Sequence, residues 1–289
     1  MNIHTDPRRS FDGLFEVTPL QPSLGAELSG LSMADPLTPE TRDALKAALL
    51  RYRVIFFRDQ DISREQHIAF TANFGDLEVH PVFALPDYPQ ILPLISTEMD
   101  PRYRAGGDAN WHADTTFRPT PSAASVLRAV ISPSLGGDTV FANTVEAYEH
   151  LPEAVKDQID GLTALHDSSI FLTMMPKEQH EAFLAENPGT EHPVVRVHPD
   201  TGEKSIYVNP IFTRRILGVS KQESDDLLRL LFDQVKRPEL QVRWSWRPNS
   251  VAFWDNRATQ HYAVNDYNEV RHMERVTIAG DRPAGPLDM

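Results

Sequence analysis

Short apolar runs separated by turn-forming residues recur along the chain, and this pattern constrains its fold most. The runs predict β-strands near residues 54–57, 91–95, 125–131 and 250–254, where β-branched and aromatic residues are concentrated. The stretch at 194–208 predicts a β-hairpin, because its centre reads PDTG, a typical turn sequence. The chain is therefore predicted to contain many short strands.

Another strand, with one buried face, is predicted near residues 240–248. There Val242, Trp244 and Trp246 alternate with polar residues, which matches the two-residue period of a strand. The predicted strands do not alternate regularly with helices, so βαβ units and a parallel sheet are not favoured. The pattern instead predicts a mainly β fold, an antiparallel sandwich or barrel with flanking helices.

Three helices carry recognisable start signals. Thr38 followed by Pro39 predicts the first, because proline suits the first helical position. Capping boxes at 63–66 and 220–223 predict the other two, and Gly75 is expected to end the second helix. We interpret residues 1–289 as a single domain.

Two long segments, residues 97–111 and 168–192, show no clear periodicity. Long irregular stretches inside a compact domain are usually functional loops or lids. We predict that both segments are loops beside a functional site. Phe171, Leu172, Met174 and Met175 in the second segment would line an apolar channel or, equally, pack into the core.

Composition restricts the classes of partner and of metal site. The chain has no cysteine, so disulfides and thiolate ligands are absent and a metal would be bound through nitrogen and oxygen. The net charge of −13 argues against nucleic acid and anionic membranes as partners. No apolar stretch has the length of a signal peptide or a membrane span, so we expect a cytoplasmic protein.

A candidate metal site is formed by His112, Asp114 and His261. In an extended segment, residues two apart point to the same side, so His112 and Asp114 project together. With His261, they would make a set of two imidazoles and one carboxylate that leaves open positions, as in non-haem iron(II) oxygenases. A zinc ion could use the same donors.

Two arginines near the C-terminus form a candidate anion site. Read as a strand, 271–278 places Arg271, Met273, Arg275 and Thr277 on one face. If that face lines a pocket, the two guanidinium groups would bind anions; if it is a solvated edge, they are ordinary surface residues. The period alone leaves both interpretations open.

The chain resembles the taurine dioxygenase/TfdA family of iron(II)- and 2-oxoglutarate-dependent enzymes. The similar motifs run in order along nearly the whole chain: VTPLQPSLGAELSGL, FFRDQ, FGDLEVHPV, NWHADTTF, GGDT, HPVVRVHP, WDNRATQHYA and RVTIAGDRP. The resemblance implies a distorted double-stranded β-helix, or jelly-roll, core.

The resemblance also implies roles for individual residues. His112, Asp114 and His261 match the iron ligands of the family. Arg271 and Thr139 match the residues that bind the distal carboxylate of 2-oxoglutarate, a task suited to a planar guanidinium.

The residues of the implied substrate site are only partly those of the taurine enzymes. Arg275 and His80 match the pair that binds the substrate's anionic group, and Phe212 matches an aromatic residue of the pocket. Phe83 stands where the taurine enzymes have tyrosine, and Asp108 stands where they have asparagine. Losing a hydroxyl donor favours a substrate with a less polar tail.

The reaction implied by the resemblance couples oxidative decarboxylation of 2-oxoglutarate by O₂ to hydroxylation of a carbon next to a sulfate or sulfonate group. The products would be succinate, CO₂, an aldehyde, and sulfate or sulfite. We expect a small anionic organosulfur substrate, an alkyl sulfate or alkylsulfonate, with taurine and aryloxyalkanoates as alternatives. A non-catalytic anion-binding module and a zinc sulfatase are hypotheses from other classes. The family also implies a homo-oligomer, a dimer or tetramer.

Overall fold

The computed structural model describes residues 11, 13–79, 85–96 and 111–288. Strands dominate this part of the chain and are numbered in chain order: β1 Glu16–Pro19, β2 Ala26–Ser29, β3 Val54–Phe57, β4 Ile91–Ser96, β5 Ala124–Ile131, β6 Thr139–Asn143, β7 Thr163–His166, β8 Thr190–Pro193, β9 Val195–Val197, β10 Lys204–Ile206, β11 Thr213–Ile216, β12 Gln241–Trp244, β13 Val251–Asp255, β14 Thr259–Ala263 and β15 Arg271–Ile278. The strands that the apolar runs predict are confirmed.

Helices are fewer and mostly short: α1 Pro39–Tyr52, α2 Arg64–Ala72, α3 Thr144–Glu149, α4 Glu153–Ile159, α5 His180–Glu186 and α6 Lys221–Val235. Short 3₁₀ turns lie at Ser169–Met174, Lys177–Gln179 and Pro238–Leu240. Among the described residues, no helix is long and apolar enough to cross a membrane.

Two sheets face each other and form the centre of the fold. The larger sheet has the order β1-β2-β3-β13-β5-β15-β4 and is antiparallel except between β2 and β3. The smaller sheet has the order β12-β6-β14. An apolar cluster fills the space between them, with Phe56, Trp254 and Met273 from the larger sheet and Phe141 and Trp244 from the smaller one. The predicted mainly β architecture with flanking helices is confirmed.

Helices cover the outer faces of this sandwich. α1 and α2 pack on the larger sheet through a cluster that includes Leu45, Phe70 and Phe253. α3, α4 and α6 enclose a separate cluster, with Leu231 and Val140 among its buried members. Both outer sides of the sandwich are therefore covered by apolar packing.

The helix start signals are confirmed in two cases and partly in the third. Thr38 caps α1, and the capping box that begins at Ser63 forms in full. α2 ends at Ala72, three residues before Gly75. At α6, Ser220 accepts from the backbone N–H of Glu223, but the Glu223 carboxylate accepts from Gln158 on α4. The second capping box is therefore formed only in part.

The two segments without periodicity have different outcomes. Residues 97–110 lie outside the described residues. The segment 168–192 is not irregular throughout, because it contains two 3₁₀ turns, the helix α5 and the strand β8. Helix α5 has no side-chain cap, so its start leaves no strong pattern in the sequence.

Buried His67 on α2 gives a testable dependence of stability on pH. Its Nε2 lies 3.1 Å from the carbonyl oxygen of Val126, and complete burial lowers the pKa of His67 to about 4. The folded protein therefore holds this ring neutral. The free energy of unfolding has its full value above the unfolded pKa of about 6.5 and decreases as the pH is lowered below that value. We expect the free energy of unfolding of the wild type to fall by about 2 kcal/mol more between pH 7 and pH 5 than that of His67→Leu. Urea denaturation at each pH measures this difference.

The control for this prediction is His150→Leu, which changes a half-exposed histidine. Its free energy of unfolding should follow the wild-type pH dependence. Parallel curves for the wild type and His67→Leu would show that folding does not lower the pKa of His67.

Candidate active site

His112 and His261 are brought together by backbone pairing between distant parts of the chain. The N–H of His112 donates to the carbonyl of His261 at 3.1 Å, and the N–H of His261 donates back at 2.8 Å. His261 lies on β14, so this bridge attaches the segment that begins at Trp111 to the smaller sheet. The two imidazole rings are 4.4 Å apart between centroids.

Asp114 completes the predicted constellation. Its Oδ1 lies 3.8 Å from Nε2 of His112, and one ligand atom from each of His112, Asp114 and His261 lies within 4.8 Å of the others. Asp114 and His261 are buried, whereas the side chain of His112 is 26% exposed. The site is therefore open to solvent on the side of His112.

The electrostatics of the site favour a bound cation. Burial by itself would raise the pKa of Asp114, but Arg275 and His261 outweigh it and lower the pKa to about 2. Burial, with a contribution from His112, lowers the pKa of His261 to about 3. At neutral pH the site thus offers a carboxylate and the neutral imidazole of His261, and Nδ1 of that ring is buried without a hydrogen-bond partner among the described residues. This donor set fits iron(II) and also zinc(II).

Both arginines predicted to share a strand face lie on the inner side of the larger sheet. Met273 between them belongs to the cluster between the sheets, whereas Glu274 points to the helix side and accepts from Nε of Arg64 on α2 at 2.9 Å. Arg271 is 6% exposed and the side chain of Arg275 is 13% exposed. The interpretation as a solvated edge is therefore wrong.

Arg271 is a buried cation without a carboxylate partner in the described part of the chain. Its Nε donates to the carbonyl of Gly137 at 3.1 Å, and no ion pair joins it to a carboxylate of the described residues. Burial lowers its pKa. Thr139, two residues after Gly137, accepts from Nε1 of Trp246 at 3.0 Å. A buried guanidinium in this state is stabilised by an anionic ligand.

Arg275, in contrast, has a carboxylate partner. Its Nη1 donates to Oδ1 of Asp114 at 2.7 Å, while its Nε is buried without a partner among the described residues. The predicted substrate arginine therefore lies directly beside the predicted metal ligands.

Aromatic rings form a wall on the open side of the site. The ring of Phe212 lies 6.2 Å from that of His112. Phe117 and Phe171 complete the group, at 5.2 and 6.1 Å from Phe212 and 5.6 Å from each other. Phe212 was expected here, and for Phe171 a place along an apolar channel was one of two alternatives, whereas no role is predicted for Phe117 from sequence. Its place in WHADTTF, three residues after Asp114, is the only feature of the sequence that could have indicated one.

A comparison with known protein families shows to which family this chain belongs. The family profile described as taurine catabolism dioxygenase TauD, TfdA family, matches residues 16–277. The chain belongs to the TauD/TfdA family.

Individual TauD/TfdA proteins are similar over almost the whole chain. An alpha-ketoglutarate-dependent sulfate ester dioxygenase of Pseudomonas putida is 39% identical, covering 93% of this chain and 91% of its own. An alkylsulfatase of Acinetobacter baylyi is 38% identical, covering 91% of this chain and 84% of its own. The solved structure of a taurine dioxygenase from Burkholderia xenovorans has 40% identity and a TM-score of 0.83, covering 95% and 92%. The predicted family, dioxygenase class and jelly-roll core are confirmed.

The structure brings together part of the predicted site residues of the TauD/TfdA motifs. His112, Asp114 and His261 converge, with Arg275 bound to Asp114 and Phe212 beside His112. Arg271 and Thr139 lie near each other around Gly137, on facing sheets. The predicted substrate residues His80, Phe83 and Asp108 lie outside the described residues.

Proposed function

We propose that this chain is an iron(II)- and 2-oxoglutarate-dependent dioxygenase that hydroxylates the carbon bearing a sulfate ester and releases sulfate and an aldehyde. The observation that carries the proposal is the combination of the His112, Asp114 and His261 cluster with a buried Arg271 that forms no ion pair with the described residues. The cluster suits a metal, and the unpaired guanidinium suits a carboxylate of a small co-substrate.

In this proposal, His112, Asp114 and His261 hold iron(II), which supplies the activation of O₂ when bound. Arg271 binds the distal carboxylate of 2-oxoglutarate through its η nitrogens, since its Nε is already occupied by Gly137. Thr139 adds a hydroxyl beside it. Burial of Arg271 excludes water from this ion pair and strengthens it.

Arg275 is proposed to bind the anionic group of the substrate. It can remain paired with Asp114 through Nη1 and still donate from Nε, which has no partner among the described residues. An anion held there lies within one side-chain length of the metal ligands. The C–H bond next to that anion is therefore positioned at the reacting centre, and bonds further along the substrate are not.

The aromatic wall supports a sulfate ester with an apolar tail. Phe117, Phe171 and Phe212 offer apolar surface and no hydrogen-bond acceptor for an ammonium group such as that of taurine. The names of the relatives from Pseudomonas putida and Acinetobacter baylyi point to sulfate esters as well. Taurine is the second candidate, supported by the name of the similar solved structure.

The test is a panel of alkyl sulfates, alkanesulfonates, taurine and aryloxyalkanoates, each incubated with protein, iron(II), 2-oxoglutarate and air. We expect medium-chain alkyl sulfates to give sulfate and succinate in equal amounts and the highest kcat/KM. If alkanesulfonates or taurine release sulfite with a higher kcat/KM, the preferred substrate is a sulfonate and not a sulfate ester. If aryloxyalkanoates stimulate succinate formation most strongly, the substrate belongs to the carboxylates.

Two further measurements separate the proposal from the rival classes. Under strict anaerobiosis, sulfate release should stop; continued release would identify a zinc sulfatase. The anaerobic protein with iron(II) and 2-oxoglutarate should develop a weak visible charge-transfer band. Folded protein that binds iron but shows neither the band nor turnover would be a non-catalytic binding module.

A further inference from the structure

The side chain of Asn256 forms hydrogen bonds with the backbone of Asp114, a candidate metal ligand. Its Oδ1 accepts from the N–H of Asp114 at 2.7 Å, and its Nδ2 donates to the carbonyl of Asp114 at 3.0 Å. The same Nδ2 donates to the carbonyl of Ser122 at 2.8 Å. Asn256 is 1% exposed, so water does not compete for these bonds. A side-chain amide is required here, because both a donor and an acceptor are used.

The backbone that Asn256 holds is strained. Thr115, directly after Asp114, has a φ of 57°, which is unfavourable for a β-branched residue. Its hydroxyl accepts from the N–H of Ser122 at 2.9 Å, and its carbonyl accepts from the N–H of Arg118 at 2.9 Å. Such a conformation persists only where its surroundings over-determine it. Asn256 joins both sides of this turn, at Asp114 and at Ser122.

Asn256 is itself anchored at the end of β13. Its N–H donates to the carbonyl of Ala123 at 2.9 Å. The preceding Asp255 is fully buried; its Oδ2 lies 2.9 Å from Nε2 of His198, and Arg257 binds both of its oxygens at 3.0 and 2.9 Å. These partners hold the pKa of Asp255 far below its usual range. The backbone of Asp114 is thus tied to the end of β13.

We propose that Asn256 is a positioning residue, which sets the carboxylate of Asp114 against His112 and His261 without contacting metal or substrate. The inference rests on the proposed metal-dependent function. If it holds, loss of the amide relaxes the turn at Thr115 and weakens metal binding, while the 2-oxoglutarate site around Arg271 is left in place. Removal of a group that orients a metal ligand typically lowers metal affinity or activity 10- to 100-fold.

The experiment compares Asn256→Ala with Asn143→Ala. Asn143 is a matched control, because it is also buried and also binds backbone groups, at the N–H of Val145 and Glu146 and at the carbonyl of Ser23. In calorimetric titrations of the apoproteins with Mn(II), Asn256→Ala should bind roughly 10-fold or more weakly than the wild type, and Asn143→Ala within about twofold of it. With saturating iron, kcat of Asn256→Ala should fall by a similar factor and the KM for 2-oxoglutarate should change less than about threefold.

Each outcome decides the proposal. Equal Mn(II) affinity in the wild type, Asn256→Ala and Asn143→Ala would overturn it and leave the proposed function intact. A wild type that binds no Mn(II) or iron(II) would overturn the proposed function as well. If Asn256→Ala does not fold, Asn256→Ser, which keeps one hydroxyl for Asp114, is measured in its place. Failure of both variants to fold, with Asn143→Ala folded, would show a structural role instead of positioning.

Discussion

Replacing His261 with alanine is expected to lower turnover at least about 1,000-fold, which corresponds to about 4 kcal/mol of transition-state stabilisation. The change removes one of three donors, and the remaining two are a partly exposed imidazole and a carboxylate that is already bound to Arg275. Two donors are expected to hold the metal too weakly and in too many geometries for catalysis. Succinate formation measures turnover, and titration of the apoprotein with Mn(II) measures the loss of affinity.

The exposed His150 provides the control for this prediction. His150→Ala should retain wild-type turnover, since its side chain is half exposed and lies at the end of α3. His261 is buried against Trp254 and Phe141, so circular dichroism must show that His261→Ala is folded. A folded variant with more than about a tenth of wild-type turnover would mean that His261 is not a ligand.

Arg271 and Arg275 are expected to affect different ligands when each is replaced by methionine. Arg271→Met should raise the KM for 2-oxoglutarate at least about 100-fold, because a buried charge-assisted pair is lost. Arg271→Lys should raise it less, since the charge remains and the planar fork does not. Arg275→Met should raise the KM for the sulfate ester by a similar factor and that for 2-oxoglutarate by less than about threefold.

The ion pair between Arg275 and Asp114 adds a second consequence to Arg275→Met. Without the guanidinium, the effect of burial on Asp114 is opposed only by the histidines, so the pKa of Asp114 should rise from about 2. Metal affinity falls when Asp114 is protonated. As the pH is lowered, this loss should therefore begin at a higher pH in the variant than in the wild type. Equal effects of Arg271→Met and Arg275→Met on both KM values would refute the division of roles.

The strands at the apolar runs were predictable because their determinants are local. VIFF at Val54–Phe57 and the alternation from Val242 to Trp246 each encode burial within a few residues. Helices α3 and α4 were not predicted. α3 begins after a usual cap residue, Asn143, but Asn143 is also the last residue of β6, which obscures this signal, and α4 has no side-chain cap.

The candidate metal cluster and the pair of arginines could be predicted, but the residues that hold them in place could not. The spacing of His112 and Asp114 and the shared face of Arg271 and Arg275 follow from the two-residue period of extended chain. Asn256 acts through contacts with residues far away in sequence, and no local pattern indicates them. The contact between Arg275 and Asp114 is equally non-local. The single-domain organisation of 1–289 and the homo-oligomer stay predictions.

The backbone bridge between His112 and His261 also bears on the order of folding. Two donors of the centre come from segments that are separated in sequence by four of the sandwich strands, β5, β6, β12 and β13, and they meet through long-range pairing. Such contacts form late, because a long loop must close before they give any return in stability. A newly made chain thus carries scattered imidazoles and carboxylates until β14 is in place, and the proposed metal site is complete only in the finished tertiary structure.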